Sequence, residues 1–245
     1  MIYTRTAFAG SRFRPIAISN APYVFRDFDH WLAYRDSDLL KELMAGYDRA
    51  TGHKSLAITY YGARHVTANR PITRPEDMRG MKLRVLQAPL YLMFARSVGA
   101  NATPTAFAEV YRALQNGTVD GRENPLPTIQ AKKFFEVQSH IILTGHISES
   151  LLTIASGNLW RRLSAADRAV FEEVWREAAN RATYAIRIAE ETLPAWFEQQ
   201  GKTVIRPDRA AFRAAAVPLH NDPQAGAGWT REQYDRLQAL GARTN

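Results

Sequence analysis

Apolar positions along the chain follow two periods. Between Asp38 and Arg49, the residues Leu39, Leu40, Leu43, Met44 and Tyr47 recur at helical spacing, which predicts an amphipathic helix with one face on a core. Gly52 closes that helix. Ser55-Leu-Ala-Ile-Thr-Tyr-Tyr61 then predicts a buried strand that stops at Gly62. Thr73-Arg-Pro-Glu76 has the form of a capping box, so a short helix is expected from there to Gly80. Helices are expected over residues 89–98 and 106–116, the latter with Phe107, Val110, Tyr111 and Leu114 on its apolar side. Short strands are expected near 81–85, 118–119, 141–144, 151–155 and 203–205, and Met1-Ile-Tyr-Thr4 reads as the end of another.

Residues 164–200 show helical spacing with no glycine to interrupt it: Val170, Phe171, Val174, Ala178, Ala182, Ala185, Ile188 and Ala189. Ser164 with Asp167 can cap its start, Gly201 stops it, and Pro194 should kink it near the end. About 36 residues at 1.5 Å each is roughly 54 Å, long enough to brace two lobes. A coiled coil would need Leu or Ile at heptad positions, where Ala dominates here. Strands alternating with helices place the chain in the α/β class with at least partly parallel sheets. No internal repeat is present.

Composition narrows the function. Apolar residues make up 46% and charged residues 23% of the 245, as in an ordinary globular protein, and no apolar run is long enough to span a bilayer. Without cysteine there is neither a disulfide nor a thiolate ligand for zinc. Residues 1–100 hold 15 basic against 8 acidic side chains, and residues 101–245 hold 17 against 16. These basic residues are scattered among apolar positions, at Arg5, Arg12, Arg14, Arg26 and Arg35 for example. A nucleic-acid surface would cluster them in one tract. The opening residues lack the basic stretch, apolar core and cleavage site of a signal peptide.

Catalytic signatures are missing: there is no His-Glu-x-x-His, Gly-x-Ser-x-Gly, P-loop or Gly-x-Gly-x-x-Gly, and no two histidines lie four apart. What remains is arginine placed within or just after strands. Arg64 follows Gly62, and Arg84 lies inside Lys82-Leu-Arg-Val85. An arginine among apolar neighbours needs a partner, because a buried unpaired charge is costly. The partner is either an internal Asp or Glu, or a ligand carboxylate held by the guanidinium fork. Periodicity leaves both open. One charge-assisted hydrogen bond contributes about 1.5–3 kcal/mol, so a fork with polar neighbours could reach the roughly −8 kcal/mol of a micromolar site.

Several blocks together resemble one family. Gly62-Ala-Arg-His-Val-Thr-Ala-Asn-Arg-Pro71, Thr73-Arg-Pro-Glu-Asp-Met-Arg-Gly-Met-Lys-Leu-Arg-Val85, Val98-Gly-Ala-Asn-Ala-Thr-Pro104, Phe107-Ala-Glu-Val-Tyr-Arg-Ala-Leu-Gln115, Val119-Asp-Gly-Arg-Glu-Asn-Pro125, Phe135-Glu-Val-Gln138 and Thr144-Gly-His146 resemble, in order, the TRAP transporter solute-binding proteins of the DctP family. The resemblance covers roughly residues 20–240. It implies a two-lobed, periplasmic-binding-protein-like α/β fold with a long lobe-spanning helix. Partial lobe one would occupy 1–85, lobe two mainly 86–155, the long helix and a return strand 156–205, and C-terminal helices 206–245.

The same resemblance implies roles. Arg84 would form the central ion pair with a ligand carboxylate, Arg64 would contact the ligand too, and Asn124 would hydrogen-bond the same carboxylate. Phe107 would be an aromatic wall and Ala88 a small residue beside the pocket. His65 and Asn69 would either contact a polar ligand or brace backbone. Against the family pattern, Arg122 replaces a common Gln, Leu86 a common Pro, and Arg5 a small residue. Leu151 lies near a position that is polar in sialic-acid binders. A signal peptide and a first strand–helix–strand unit would precede Met1, so the chain reads as truncated. The expectation is a periplasmic, monomeric binder of a C4-dicarboxylate or sugar acid that serves a TRAP membrane permease. It would have no catalysis, cofactor, metal or nucleic acid. The rivals are a ligand-sensing or enzymatic domain on the same scaffold, or a fragment without function.

Overall fold

One long strand organises the molecule. The structure, a computed structural model, describes residues 1–241. Its strands are β1 (Ile2–Arg5), β2 (Lys54–Ala68), β3 (Lys82–Arg84), β4 (Asn101–Ala102), β5 (Gly121–Pro125), β6 (His140–Ile142), β7 (Ser148–Ala155) and β8 (Thr203–Ile205). Residues 54–63 of β2 pair antiparallel with β7, which in turn pairs with β1. Residues 64–68 of β2 pair antiparallel with β5, and 66–68 also with β6. Parallel pairing then adds β3 to β5, β4 to β3, and β8 to β6. The two lobes therefore share β2. Sheet membership changes inside this strand, whereas the segments drawn from sequence change at 85 and 155.

Strand β2 does not stop at Gly62, contrary to the sequence expectation. Gly62 takes φ +109° at a register shift between Tyr60 and Gly62, and the strand resumes on new partners. A positive φ is open to glycine at little cost, so this residue bends a strand where the strand was expected to end. Strand β5 is also displaced from its expected place at 118–119, to 121–125, where every residue is buried although three are Arg, Glu and Asn.

The helices are α1 (Thr6–Ala9), α2 (Phe28–Arg35), α3 (Asp38–Thr51), α4 (Pro89–Ser97), α5 (Val110–Gln115), α6 (Leu126–Ala131), α7 (Gly157–Arg162), α8 (Ala165–Gln199), α9 (Arg209–Ala216) and α10 (Arg231–Ala239). Helix α3 begins where Ser37 Oγ accepts from the Leu40 amide at 3.2 Å, and it ends at Gly52. The helix expected at 106–116 is shorter: Phe107–Glu109 form a 3₁₀ turn that leaves Phe107 exposed, and the α-helix starts at Val110. In the turn Pro75–Met78 the capping acid is Asp77, which accepts from the Thr73 and Arg74 amides at 2.7 and 3.1 Å, so Glu76 does not play that part.

Helix α8 has 35 residues, about 52 Å at the usual rise, and continues through Pro194 to Gln199. Ser164 Oγ caps its start, accepting from the Asp167 amide at 3.1 Å. It joins two cores. Ile186 packs on the core built from Trp31, Tyr34, Leu43, Ile58 and Leu152. Leu193 and Phe197 belong to the core of Val110, Phe134 and Ile141. A third core, with Val66, Leu83, Phe94 and Phe212, contains Ile142, the neighbour of Ile141. Because adjacent strand residues point to opposite faces, the second sheet is covered on both sides.

Candidate ligand-binding site

Charged side chains converge where β2 changes sheets. Arg64, Arg84, Arg122, Glu123 and Glu149 are all 0–1% exposed. Two of the arginines lie abreast, since Arg84 of β3 and Arg122 of β5 are paired in the parallel register.

Arg64 is satisfied internally. Its Nε and Nη2 donate to the Glu123 carboxylate, the second at 2.9 Å, and its Nη1 donates to Glu149. Nη2 also reaches the Glu123 carbonyl at 2.8 Å and Asn124 Oδ1 at 3.2 Å. Of the two partners left open by the sequence, Arg64 has the internal carboxylates. Burial pushes the Glu123 carboxyl up, but Arg64 and a hydrogen bond from His146 outweigh it and hold the group at about 2. Burial keeps the His146 ring neutral against the pull of Glu123. A carboxylate only accepts, so the ring donates from Nε2 at 3.3 Å to Glu123, while Nδ1 faces Thr144 Oγ1 at 2.8 Å. Glu149 is engaged as well, accepting from Tyr91 at 2.7 Å and from Asn20 on Oε1 and from Arg64 on Oε2, with Arg5 Nε 3.4 Å from Oε2.

Arg84 and Arg122 differ from Arg64 because neither has a carboxylate partner among the described residues. Arg84 donates Nε and Nη2 to the Thr105 carbonyl at 3.1 and 2.7 Å, and its Nη1 has no partner. Its guanidinium lies 5.9 Å from the centre of the Phe107 ring. Arg122 donates Nη2 to Asn124 Oδ1 and stacks 3.8 Å over Phe134, leaving Nε and Nη1 without partners. Burial pulls both arginines below the usual guanidinium range. Glu123 resists this, and the neighbouring arginines add to it. A buried cation with spare N–H donors fits an incoming anion, because orphaned charge is costly to keep.

A cavity of about 480 Å³ adjoins this cluster, within the range of small-molecule sites. Arg5 and Tyr61 line it from the first sheet, Phe107, Thr128 and Lys132 from the second lobe, and Ile186 from α8. Of the expected residues, Phe107 lines this cavity, Arg84 lies behind its ring, and Asn124 accepts from Arg64 and Arg122 in the buried cluster.

Arg64 sits in the same cluster, bonded to Asn124 and to internal carboxylates, whereas Ala88, Asn69 and His65 lie elsewhere. Ala88 lines a separate cavity of about 460 Å³ with Phe8, Arg14 and Pro89. Asn69 accepts from the Ser139 amide at 2.8 Å and reaches the Val137 carbonyl at 3.4 Å, so it braces backbone. His65 Nδ1 accepts from the Gly145 amide at 3.0 Å. Burial, helped by His146 and Arg209, lowers its pKa to about 3 and leaves it neutral. Glu123, Glu149, Tyr91, Asn20 and His146 were not singled out from sequence as site residues. Glu149 lies between Ser148 and Ser150, ahead of the strand expected at 151–155, so the apolar pattern gave no signal for it. Among the described residues no group of three His, Asp or Glu is placed to hold a metal, and no helix is long and apolar enough to cross a membrane.

Comparison with known proteins accords with this architecture. Residues 1–225 match the family model of DctP, bacterial extracellular solute-binding protein family 7. The sialic acid-binding periplasmic protein SiaP of Vibrio cholerae is 37% identical over 207 residues, 84% of this chain and 64% of that protein. A TRAP periplasmic solute-binding protein from Roseobacter denitrificans, solved with 3-deoxy-D-manno-oct-2-ulosonic acid, superposes with TM-score 0.91 at 30% identity, covering 97% of this chain and 80% of the other. One from Polaromonas sp. JS666, bound to D-erythronate, gives TM-score 0.86 at 34% identity, covering 98% and 79%. The chain spans 61–64% of the length of the curated relatives SiaP and two solute-binding proteins from Verminephrobacter eiseniae and Roseobacter denitrificans. With a matching family model over most of its length, the chain belongs to the DctP family of bacterial extracellular solute-binding proteins.

Proposed function

We propose that the protein captures an organic acid, a C4-dicarboxylate or a sugar acid, in the cavity between its lobes and passes it to a TRAP membrane permease. It acts in the periplasm as a monomer and catalyses nothing. The observation that carries this reading is Arg84: a fully buried guanidinium held on one edge by a carbonyl, with no carboxylate partner and a free Nη1. Its fixed edge orients the fork, and Asn124 and Arg122 lie beside it to share an incoming carboxylate. Phe107 closes the site against water, which strengthens each charge-assisted bond. The acids named for the relatives fit the same chemistry. Closure of the lobes on the ligand would bend β2 at Gly62.

The test is calorimetric titration and a thermal melt of the chain against dicarboxylates, uronates, aldonates and sialic acid. Binding raises the melting temperature because only the native state takes ligand. Arg84→Ala should abolish the heat of binding and the shift while leaving a cooperative melt. Unchanged affinity in Arg84→Ala would overturn the assignment.

A further inference from the structure

Strand β2 has a cavity on each face where it changes sheets. Tyr61 lines the first, of about 480 Å³, together with Phe107, Thr128 and Ile186. Tyr60, one residue earlier, points to the other face and lines a second cavity of about 470 Å³. Both lobes build this second cavity. Phe25 and Phe28 belong to the core of the first lobe, Leu126 and Leu143 to that of the second, and Arg187, Glu190 and Pro194 come from α8. The strand therefore stands between two clefts, and bending it at Gly62 narrows one while widening the other.

Glu190 fastens the second cleft. Its carboxylate accepts from the Tyr60 hydroxyl at 2.9 Å and from the Ala63 amide, so it grips β2 on both sides of Gly62. The residue is 9% exposed. On its own helix, Arg187 Nη1 stands 4.0 Å away, and Nη2 of the same side chain lies 3.2 Å from Glu191. That 4.0 Å contact is the one ion pair of Glu190 among the described residues. Facing the same cavity are Arg26 and Asp27 ahead of α2, His65 on β2, and Arg206 and Arg209 beyond β8. Arg26 donates to the Gln238 and Leu240 carbonyls and Arg209 to the Thr144 carbonyl, so neither bonds Glu190. Asp27 accepts from the His30 amide at 2.8 Å. His65 is neutral, its pKa lowered chiefly by burial to about 3, and Tyr60 keeps its proton because burial and Glu190 hold it well above the usual phenol range. Glu190 itself is lifted by burial from 4.5 to about 7, so it alone of these groups titrates near neutrality.

We propose that Glu190 positions the lobes: protonated, it holds the second cleft shut and the organic-acid cleft open, and as a carboxylate it admits water to the second cleft and lets the first close. This deepens the binding reading and rests on its hinge at β2. A carboxylate is more stable solvated than buried, so the form with the second cleft widened binds fewer protons at this residue. Raising the pH through neutrality therefore favours closure of the organic-acid cleft. With a pKa of about 7 in the buried form and the ordinary 4.5 in the solvated one, the closed-to-open ratio rises about tenfold between pH 6 and 8. Glu190 acts through the hinge and lines the cleft opposite the ligand.

The experiment needs no ligand. The chain has no cysteine, so Lys41→Cys on α3 and Gln115→Cys at the end of α5, both exposed, place one spin label on each lobe. Double electron–electron resonance should show a shorter inter-lobe distance gaining population from pH 6 to pH 8. In Glu190→Gln, which keeps an acceptor for Ala63, the distribution should not change with pH. Tyr60→Phe removes a hydrogen bond to the carboxylate and should move the midpoint of the change to higher pH, a readout that a merely structural contact would not move and that serves equally should Glu190→Gln melt early. A distribution independent of pH in the parent, closure favoured at low pH, or a parental response in both variants overturns the proposal. The organic-acid reading stands or falls separately, on the titrations of the parent chain and Arg84→Ala.

Discussion

Tyr60 donates its phenolic hydroxyl to the Glu190 carboxylate at 2.9 Å, tying β2 to α8 beside the point where β2 changes sheets. The same carboxylate accepts from the Ala63 amide, just past the bulge. Burial raises the Glu190 pKa from 4.5 to about 7, against these hydrogen bonds and the charge of Arg187, with Glu191 adding to the rise. An acid whose native pKa is raised is most favourable while protonated in both states. Its contribution is complete below pH 4.5 and is lost as pH climbs through 7, a swing of about 3 kcal/mol. Glu190→Gln keeps an acceptor for Ala63 and removes the titration. Denaturant unfolding between pH 4.5 and 8 should show the variant gaining on the parent as pH rises. Parallel profiles would refute the shift.

The Arg64 network has the opposite sensitivity. Glu123 is held at about 2, so its share of stability is intact above its ordinary value and disappears as pH falls from 4.5 through 2. Arg64 keeps Glu123 when Glu149 is removed, but its Nη1, Tyr91 and Asn20 lose their buried acceptor together. Glu149→Ala should therefore cost about 3–5 kcal/mol, measured as a lowered urea midpoint at constant slope.

Arg122 illustrates a conflict between stability and binding. It is 0% exposed with two unpartnered donor atoms. Arg122→Gln removes the charge and can still donate to Asn124 Oδ1. The variant should be more stable by about 1–3 kcal/mol while binding organic acids more weakly. A higher melting point with reduced binding heat confirms this, and a less stable variant contradicts it.

Gly62 tolerates no side chain. A Cβ there would lie 3.0 Å from Pro125, 3.1 Å from Glu190 Oε1 and 3.3 Å from Ile186, at φ +109°. Gly62→Ala should cost about 1–3 kcal/mol. If closure bends β2 at this point, the association rate of the ligand in stopped flow should also change. An unaltered melt would remove Gly62 from its structural role.

Amphipathic spacing made α3 legible, with Leu39, Leu40, Leu43 and Tyr47 buried. For α8 it marked the helix but not its packed face, since Val170, Val174 and Ile188 are exposed and Ala179, Thr183, Glu190, Leu193 and Phe197 are buried. Gly62 misled because glycine in a strand is ambiguous: a stop and a bulge look the same until the partners are known. Strand β5 was displaced because Arg122-Glu-Asn124 breaks the apolar rule for a buried strand, as functional segments do. Arg84, Asn124 and Phe107 came from the resemblance; Arg84 lies 5.9 Å from the Phe107 ring centre, and Asn124 bonds Arg64 and Arg122. The acids that neutralise Arg64 come from β5 and β7, so only tertiary pairing reveals them.

The shared strand also decides how the molecule can be made. Lys54 meets Ala155, and Ile2 meets Ile154, so the first sheet has no partner for β2 until the ribosome has passed most of the second lobe. Neither lobe is a contiguous length of polypeptide. Such long-range pairing slows folding, and either half excised would leave strand edges of β2 without their partners.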